Sequence, residues 1–289
     1  MRNTWLTLHV IFFILLSAMA EAAPGVNFAP HEAVYTLRLD QNRPNSQVMR
    51  ADGKLTFTLT DACDGWTTDQ KLEIGFVYAM GQQTKLVVTT SSWEAKDGSS
   101  YTFSSRTLNN GRQSEAFRGK ATLTASGGQA VYSQPVGKIV KIPPGAIFPN
   151  QHSMLIIQAA LDGTKVQNQL VFDGTDNKAQ SDVSVFLGKP VALVDDKSVP
   201  SDLRQIPLLQ GKATPTHLAF YALQDTTAKS KDGNSPDDAD ETGASTPDYE
   251  LKLDLLANSV ARGMTIDYGS FSMRGTMASL KSLDTSACR

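Results

Sequence analysis

Tyr249-Glu250-Leu251-Lys252-Leu253-Asp254-Leu255 decides how the rest of the chain is read. In an extended backbone, successive side chains point to opposite faces. Tyr249, Leu251, Leu253 and Leu255 therefore share one face, and Glu250, Lys252 and Asp254 share the other. The same period of two recurs in Tyr35, Leu37 and Leu39 against Thr36, Arg38 and Asp40, and again in Leu55, Phe57 and Leu59 against Lys54, Thr56, Thr58 and Thr60. These are half-buried strands of an antiparallel sheet, with the apolar face inward and the polar face in water. Turn signals separate the alternating runs: Asp52-Gly53, Asp97-Gly98, Asn110-Gly111, Gly127-Gly128 and Asp173-Gly174. Their spacing allows roughly a dozen or more strands. A sheet that large has to curl or close, so an all-β barrel or spiral is expected in place of a flat sheet.

One stretch breaks the period. After Pro149, Asn150 is a good N-cap type. Met154, Leu155, Ile157, Ala160 and Leu161 then form a broad apolar face, and Asp162-Gly163 supplies a stop. A single helix is predicted over 150–162, with its apolar face plugging the mouth or side of the curled sheet.

The 289 residues, 40% of them hydrophobic, are enough for a sizeable core. A formal net charge of -2 with no basic block argues against nucleic acid as a partner. At the N-terminus, Arg2 precedes the apolar run Leu6–Leu16. Ala18, Ala20 and Ala22 then offer small-residue cleavage sites. The run is shorter than the roughly 20 residues a membrane span needs. Residues 1–22 are therefore expected to be a signal peptide cleaved after Ala20 or Ala22. Residues 23–289 follow as one exported domain without a transmembrane segment. Within it, residues 225–248 carry Asp237-Asp238-Ala239-Asp240-Glu241 and no large apolar side chain, which reads as a flexible acidic loop; its oxygens lack EF-hand spacing.

Two cysteines remain in the mature chain, Cys63 and Cys288. In an oxidising compartment an even count favours a bond between them over two separate thiols, and no C-x-x-C spacing points to redox chemistry. Such a bond closes a loop of roughly 225 residues and stabilises by on the order of 5 kcal/mol at most. Tying the C-terminus back to the early strands, it is expected to hold a seam shut. Trp66, three residues after Cys63, is expected to pack beside the bond.

Motifs for chemistry are missing. Gly269-Ser270-Phe271-Ser272-Met273 lacks the final glycine of a nucleophile elbow. His31, His152 and His217 are too scattered for a metal site, and no phosphate-binding glycine motif occurs. No catalytic, cofactor-binding or metal-binding residue is assigned, and the protein reads as a non-enzyme. His152 falls in the first helical turn behind Pro149. It either hydrogen-bonds a neighbouring loop and fixes the helix, or it reads a ligand's carbonyl or carboxylate. Trp66, Pro149 and His152 thus form a structural group around the disulfide and the start of the helix.

In sequence order the chain carries His31-Glu32-Ala33-Val34-Tyr35-Thr36-Leu37, Ala62-Cys63-Asp64-Gly65-Trp66, Trp93-Glu94-Ala95-Lys96-Asp97-Gly98 and Pro143-Pro144-Gly145. Phe148-Pro149-Asn150-Gln151-His152, Phe172-Asp173-Gly174, Tyr249-Glu250, Asn258-Ser259-Val260, Ile266-Asp267-Tyr268-Gly269 and Cys288 follow. This series resembles the EipB family of periplasmic cell envelope integrity proteins across nearly all of the mature chain. Ser259 stands where glycine is expected, and the acidic insertion is longer than usual. The resemblance implies a spiral-like broken barrel of about 14 strands, with the two cysteines bonded. It also implies a periplasmic part in envelope maintenance without enzymatic activity, and a protein partner of the tetratricopeptide-repeat kind. The architecture is similar to that of the Lol lipoprotein carriers, so the alternative function is to bind lipid or lipoprotein acyl chains in an apolar hollow. An unrecognised hydrolase is the third reading, and it needs His152 or His217 beside a nucleophile and a carboxylate.

Overall fold

A computed structural model describes residues 26–44, 46–176, 179–196, 198–223 and 246–284. The expected signal peptide, Cys288 and all but the last three residues of the expected acidic loop lie outside the described residues. Fifteen strands run through the described residues: β1 His31–Asn42, β2 Val48–Asp61, β3 Gly65–Tyr78, β4 Gln83–Ala95, β5 Ser100–Asn109, β6 Arg112–Thr124, β7 Gly127–Gln134 and β8 Ile139–Ile142. After helix α1, Pro149–Leu161, come β9 Val166–Phe172, β10 Gln180–Leu187, β11 Val191–Ala192, β12 Lys212–Ala222, β13 Tyr249–Leu255, β14 Ala261–Asp267 and β15 Phe271–Ser282. The strand-and-turn reading therefore holds, and the stretch that opened it is β13.

Fourteen strands form one antiparallel sheet in the order β8-β7-β6-β5-β4-β3-β2-β1-β15-β14-β13-β12-β10-β9, with the short β11 paired to β12. The sheet curls into a nearly closed barrel whose seam, between β8 and β9, is unsealed. The first and last strands are neighbours, with His31 opposite Ser282 and Asn42 opposite Phe271. The junction of the two chain ends is thus an ordinary ladder. A bond joining the C-terminus to the β2–β3 turn would lie on this ladder side, away from the seam it was expected to hold.

Two turn signals fall inside strands: Gly127-Gly128 opens β7 just past the turn, and Asp52-Gly53 is overturned outright. Asp52-Gly53 lies inside β2, opposite Gly75 and Ile74 of β3. A Cβ on Gly53 would come within 2.2 Å of the Glu73 carbonyl oxygen. The glycine is there for close backbone approach within a strand, the other common reason for placing one. By contrast, Asn110 and Gly111 both have positive φ and make the expected hairpin turn between β5 and β6.

The lumen is filled from two directions. Ile156 and Ala159 of α1 pack on Val171, Val183, Val185 and Leu218, and Ile157 packs on Phe28, Leu59 and Trp66. The segment between β11 and β12 sends Val199 and Leu209, with the partly buried Leu203 and Ile206, against Tyr35, Leu37, Met273 and Met277. Arg262, wholly buried, clamps this strap by donating to the carbonyls of Leu209 at 2.7 Å and Gly211 at 2.8 Å. Each backbone oxygen so engaged is one that burial would otherwise leave unsatisfied.

Candidate functional site

Helix α1 begins without a capping side chain of its own. Phe148 occupies the N-cap and Pro149 the first turn, so the turn's free N–H groups have no local acceptor. Strand β4 supplies one. The Glu94 carboxylate accepts from the Asn150 N–H at 2.7 Å through Oε2 and from the Gln151 N–H at 2.8 Å through Oε1. Asn150, expected as the N-cap, is already inside the helix, where its Oδ1 accepts from the Thr68 hydroxyl at 3.4 Å. The helix starts one residue earlier than expected because proline, with φ preset and no N–H to satisfy, fits the first helical position.

Glu94 lies on the inner face, opposite Trp66 of β3 and Tyr101 of β5. Only 2% of it is exposed. Burial pushes its carboxyl up to about 7, outweighing the two N–H groups that favour the ionised form. His152, in the same helical turn, is also buried, and burial lowers its imidazole to about 4. Its Nε2 has no hydrogen-bond partner. The expected bond from His152 to a neighbouring loop is therefore not made by Nε2, and the ring points into the packed interior. The site holds a carboxylate that changes charge near neutrality, beside an imidazole kept neutral.

The other expected residues cluster here too. Trp66 is buried, its ring centroid 5.3 Å from that of Phe28, with the Lys96 ammonium 4.7 Å above it. Pro149 opens the helix that this corner holds. Cys63 sits in the β2–β3 turn at φ 67, its N–H donating to Asp61 Oδ1 at 2.9 Å. Trp66, Pro149, His152 and Cys63 are thus gathered at one end of the barrel, around the start of α1. Glu94 is the member that sequence reasoning missed. Its signal was present: Leu86 and Val88 point inward, and Glu94 falls in the same phase, a charge at a core position.

At the seam, side chains do what a ladder does elsewhere. Ile147 bridges to Val171 of β9, with its N–H donating to the Leu170 oxygen and its own oxygen accepting from the Phe172 N–H, both at 2.9 Å. Behind this single bridge, Tyr101 lies over Phe148 at 5.0 Å, and Phe103 meets Tyr132 edge-on at 5.1 Å and Phe172 at 5.8 Å. Gly174 has φ 66, and a Cβ there would stand 2.6 Å from the Phe103 ring. The quoted Phe172-Asp173-Gly174 triplet therefore belongs to the seam.

Two solvent-open grooves of about 690 and 800 Å³ lie against the sheet. Arg50, Asp52 and Glu73 line the first; His217, Lys252 and Arg274 line the second. His217 Nε2 is 3.1 Å from Glu250 Oε2. Among the described residues no three His, Cys, Asp or Glu side chains are grouped to hold a metal ion, and no helix is long and apolar enough to cross a membrane.

The EipB-like family model matches residues 22–284. The cell envelope integrity protein EipB of Brucella abortus (strain 2308) is 26% identical over 273 residues, which is 92% of this chain and 88% of that protein. The crystal structure of a beta-barrel-like protein of Domain of Unknown Function DUF1849 from Brucella abortus matches with a TM-score of 0.76 at 25% identity. The match covers 90% of this chain and 100% of that one.

Proposed function

The chain belongs to the EipB-like family, and we propose that it serves in the periplasm as a non-enzymatic protein supporting cell envelope integrity through a protein partner bound on the barrel's outer surface. The relative's name supports the envelope role. The observation that carries the choice of partner over lipid is the filling of the lumen. Helix α1, the arginine-clamped strap and the aromatic cluster bury the inward apolar side chains that an acyl chain would need. A Lol-like carrier function is the second reading, and it requires α1 or the strap to move out. Native mass spectrometry of the mature protein, purified from periplasm without reductant, separates the two. A bare protein mass fits partner binding. Added mass equal to a phospholipid or acyl chain overturns it in favour of the carrier. In cells lacking the gene, envelope-stress sensitivity should be rescued by the full-length chain and not by a version without residues 1–22.

We also propose that Cys63 and Cys288 are bonded. Among the described residues no cysteine is free. Ser282 and Leu59 both stand opposite His31, on either side of β1. Two strand spacings of about 4.8 Å therefore separate β15 from β2, and the five residue-to-residue steps from Leu283 to Cys288 can span about 17 Å. Cys63→Ser should unfold at a lower temperature than the oxidised parent, with a stability loss of up to about 5 kcal/mol. A parent insensitive to reductant and equal to the variant defeats the bond.

A further inference from the structure

Between Asp97 and Asp162 the chain has six basic residues and a single carboxylate, Glu115, whereas the remainder has 21 basic and 28 acidic residues. The fold collects this imbalance on one wall. Strands β5 to β8 bury Tyr101, Phe103, Phe117, Ala121, Ala130 and Tyr132 in the lumen, so the intervening residues face out. Lys120 stands opposite Val131, and Val131 opposite Ile139, placing all three on the outer face. Arg118 and Lys141, two residues along their strands from Lys120 and Ile139, share it.

Two features set this wall apart. First, Arg106, Arg118, Lys120 and Lys141 are exposed, make no ion pair among the described residues and share their stretch of chain with Glu115 as its one carboxylate, whereas on the opposite ladder side Arg43 is paired to Asp267 and Arg274 to Asp40. Second, apolar side chains stand out among them: Val136 is 91% exposed, Ile139 62% and Val131 48%. Val136 lies at the tip of the β7–β8 hairpin, so the apolar patch projects instead of lining a hollow.

We infer that the β5–β8 wall is a docking surface for an anionic phospholipid bilayer, with Arg118, Lys120 and Lys141 over the headgroups and the Val136 tip entering the interface. Unpaired cations gain from a negative surface and lose little hydration there, and projecting aliphatic side chains at the same level add apolar burial. A fluid surface accepts a convex tip, whereas a protein partner needs a matching cavity. This inference is independent of the partner proposed above and goes beyond it: the lipid is bound as a surface, outside the barrel.

The test uses the mature chain with vesicles of phosphatidylcholine alone or mixed with phosphatidylglycerol, read by co-sedimentation. Binding is expected only to the mixed vesicles and should weaken as salt rises. Lys120→Glu should reduce it by more than the roughly five-fold expected for losing one charge, and Val136→Asp should reduce it with the circular dichroism spectrum unchanged. Lys71→Glu on β3, away from the wall, should leave it unchanged. No binding to mixed vesicles overturns the inference and leaves the cations to an acidic protein. Equal binding to both vesicle types, or binding indifferent to Lys120→Glu, overturns it as well.

Discussion

Between β1 and β15 the two ends of the described chain meet through eleven paired residues; between β8 and β9 one bridge, Ile147 to Val171, stands in for a ladder. The first junction is made of backbone hydrogen bonds, which nearly any alternating sequence can supply. The second is made of particular side chains: Tyr101, Phe103, Tyr132, Phe148 and Phe172, with Gln180 Nε2 reaching the Lys141 oxygen at 3.2 Å. The barrel is thus joined by a ladder on one side, while on the other an aromatic cluster packs behind a seam that no ladder closes. The cluster is more specific, and it depends on fewer residues.

The strongest way to break this contrast is to empty the seam. Phe172 is fully buried, and Phe172→Ala should cost about 3–5 kcal/mol in urea unfolding. Hydrogen exchange locates the loss. Amides of β8 and β9 should lose protection while those of β1 and β15 keep most of theirs. If both junctions open equally, they form one cooperative unit and the contrast fails.

A second measurement sharpens it by titrating the anchor of α1, which packs against the seam strand β9 through Val171. Glu94 holds its proton to about pH 7 in the fold, against 4.5 for an unperturbed glutamate, so its contribution is full below 4.5 and is lost as pH rises to 7. His152 works in the opposite sense. It titrates near 4 folded and 6.5 otherwise, so its contribution is present above 6.5 and is lost as pH falls to 4. Each amounts to on the order of 3 kcal/mol, and the two slopes offset each other between about pH 4.5 and 6.5. Asp173, raised by burial to about 6, adds to the first, and His31, lowered by burial, adds to the second. Glu94→Gln should therefore lose stability more steeply on acidification from pH 6.5 than the parent. A parallel pH profile for the two proteins would falsify the titration of Glu94.

The smallest expected effect lies on the ladder side. Ser259, in the β13–β14 turn, has φ 72 and a buried hydroxyl without a partner. Ser259→Gly removes both the left-handed strain and the unpaired hydroxyl, so it should raise stability by about 1 kcal/mol despite the greater freedom of the unfolded chain. A decrease would mean that the hydroxyl is satisfied.

The sequence carried much of this, for a local reason. Alternation in Tyr249–Leu255 and Tyr35–Leu39 fixes which side chains turn inward whatever the neighbouring strand. The apolar spacing of 154–161 with Asp162-Gly163 marks a helix and its end, and Ser259 was already conspicuous as a non-glycine. Glu94 was legible only in part, because its inward phase shows a buried charge but not what it binds. Tertiary structure alone decided that β1 meets β15, that Gly53 serves a close approach and not a turn, that Glu94 caps a helix more than fifty residues away, and that rings from β5, β7 and β9 pack behind the unsealed seam. Each of these joins residues distant in the chain. A period of two states the face of a residue and is silent about its partner.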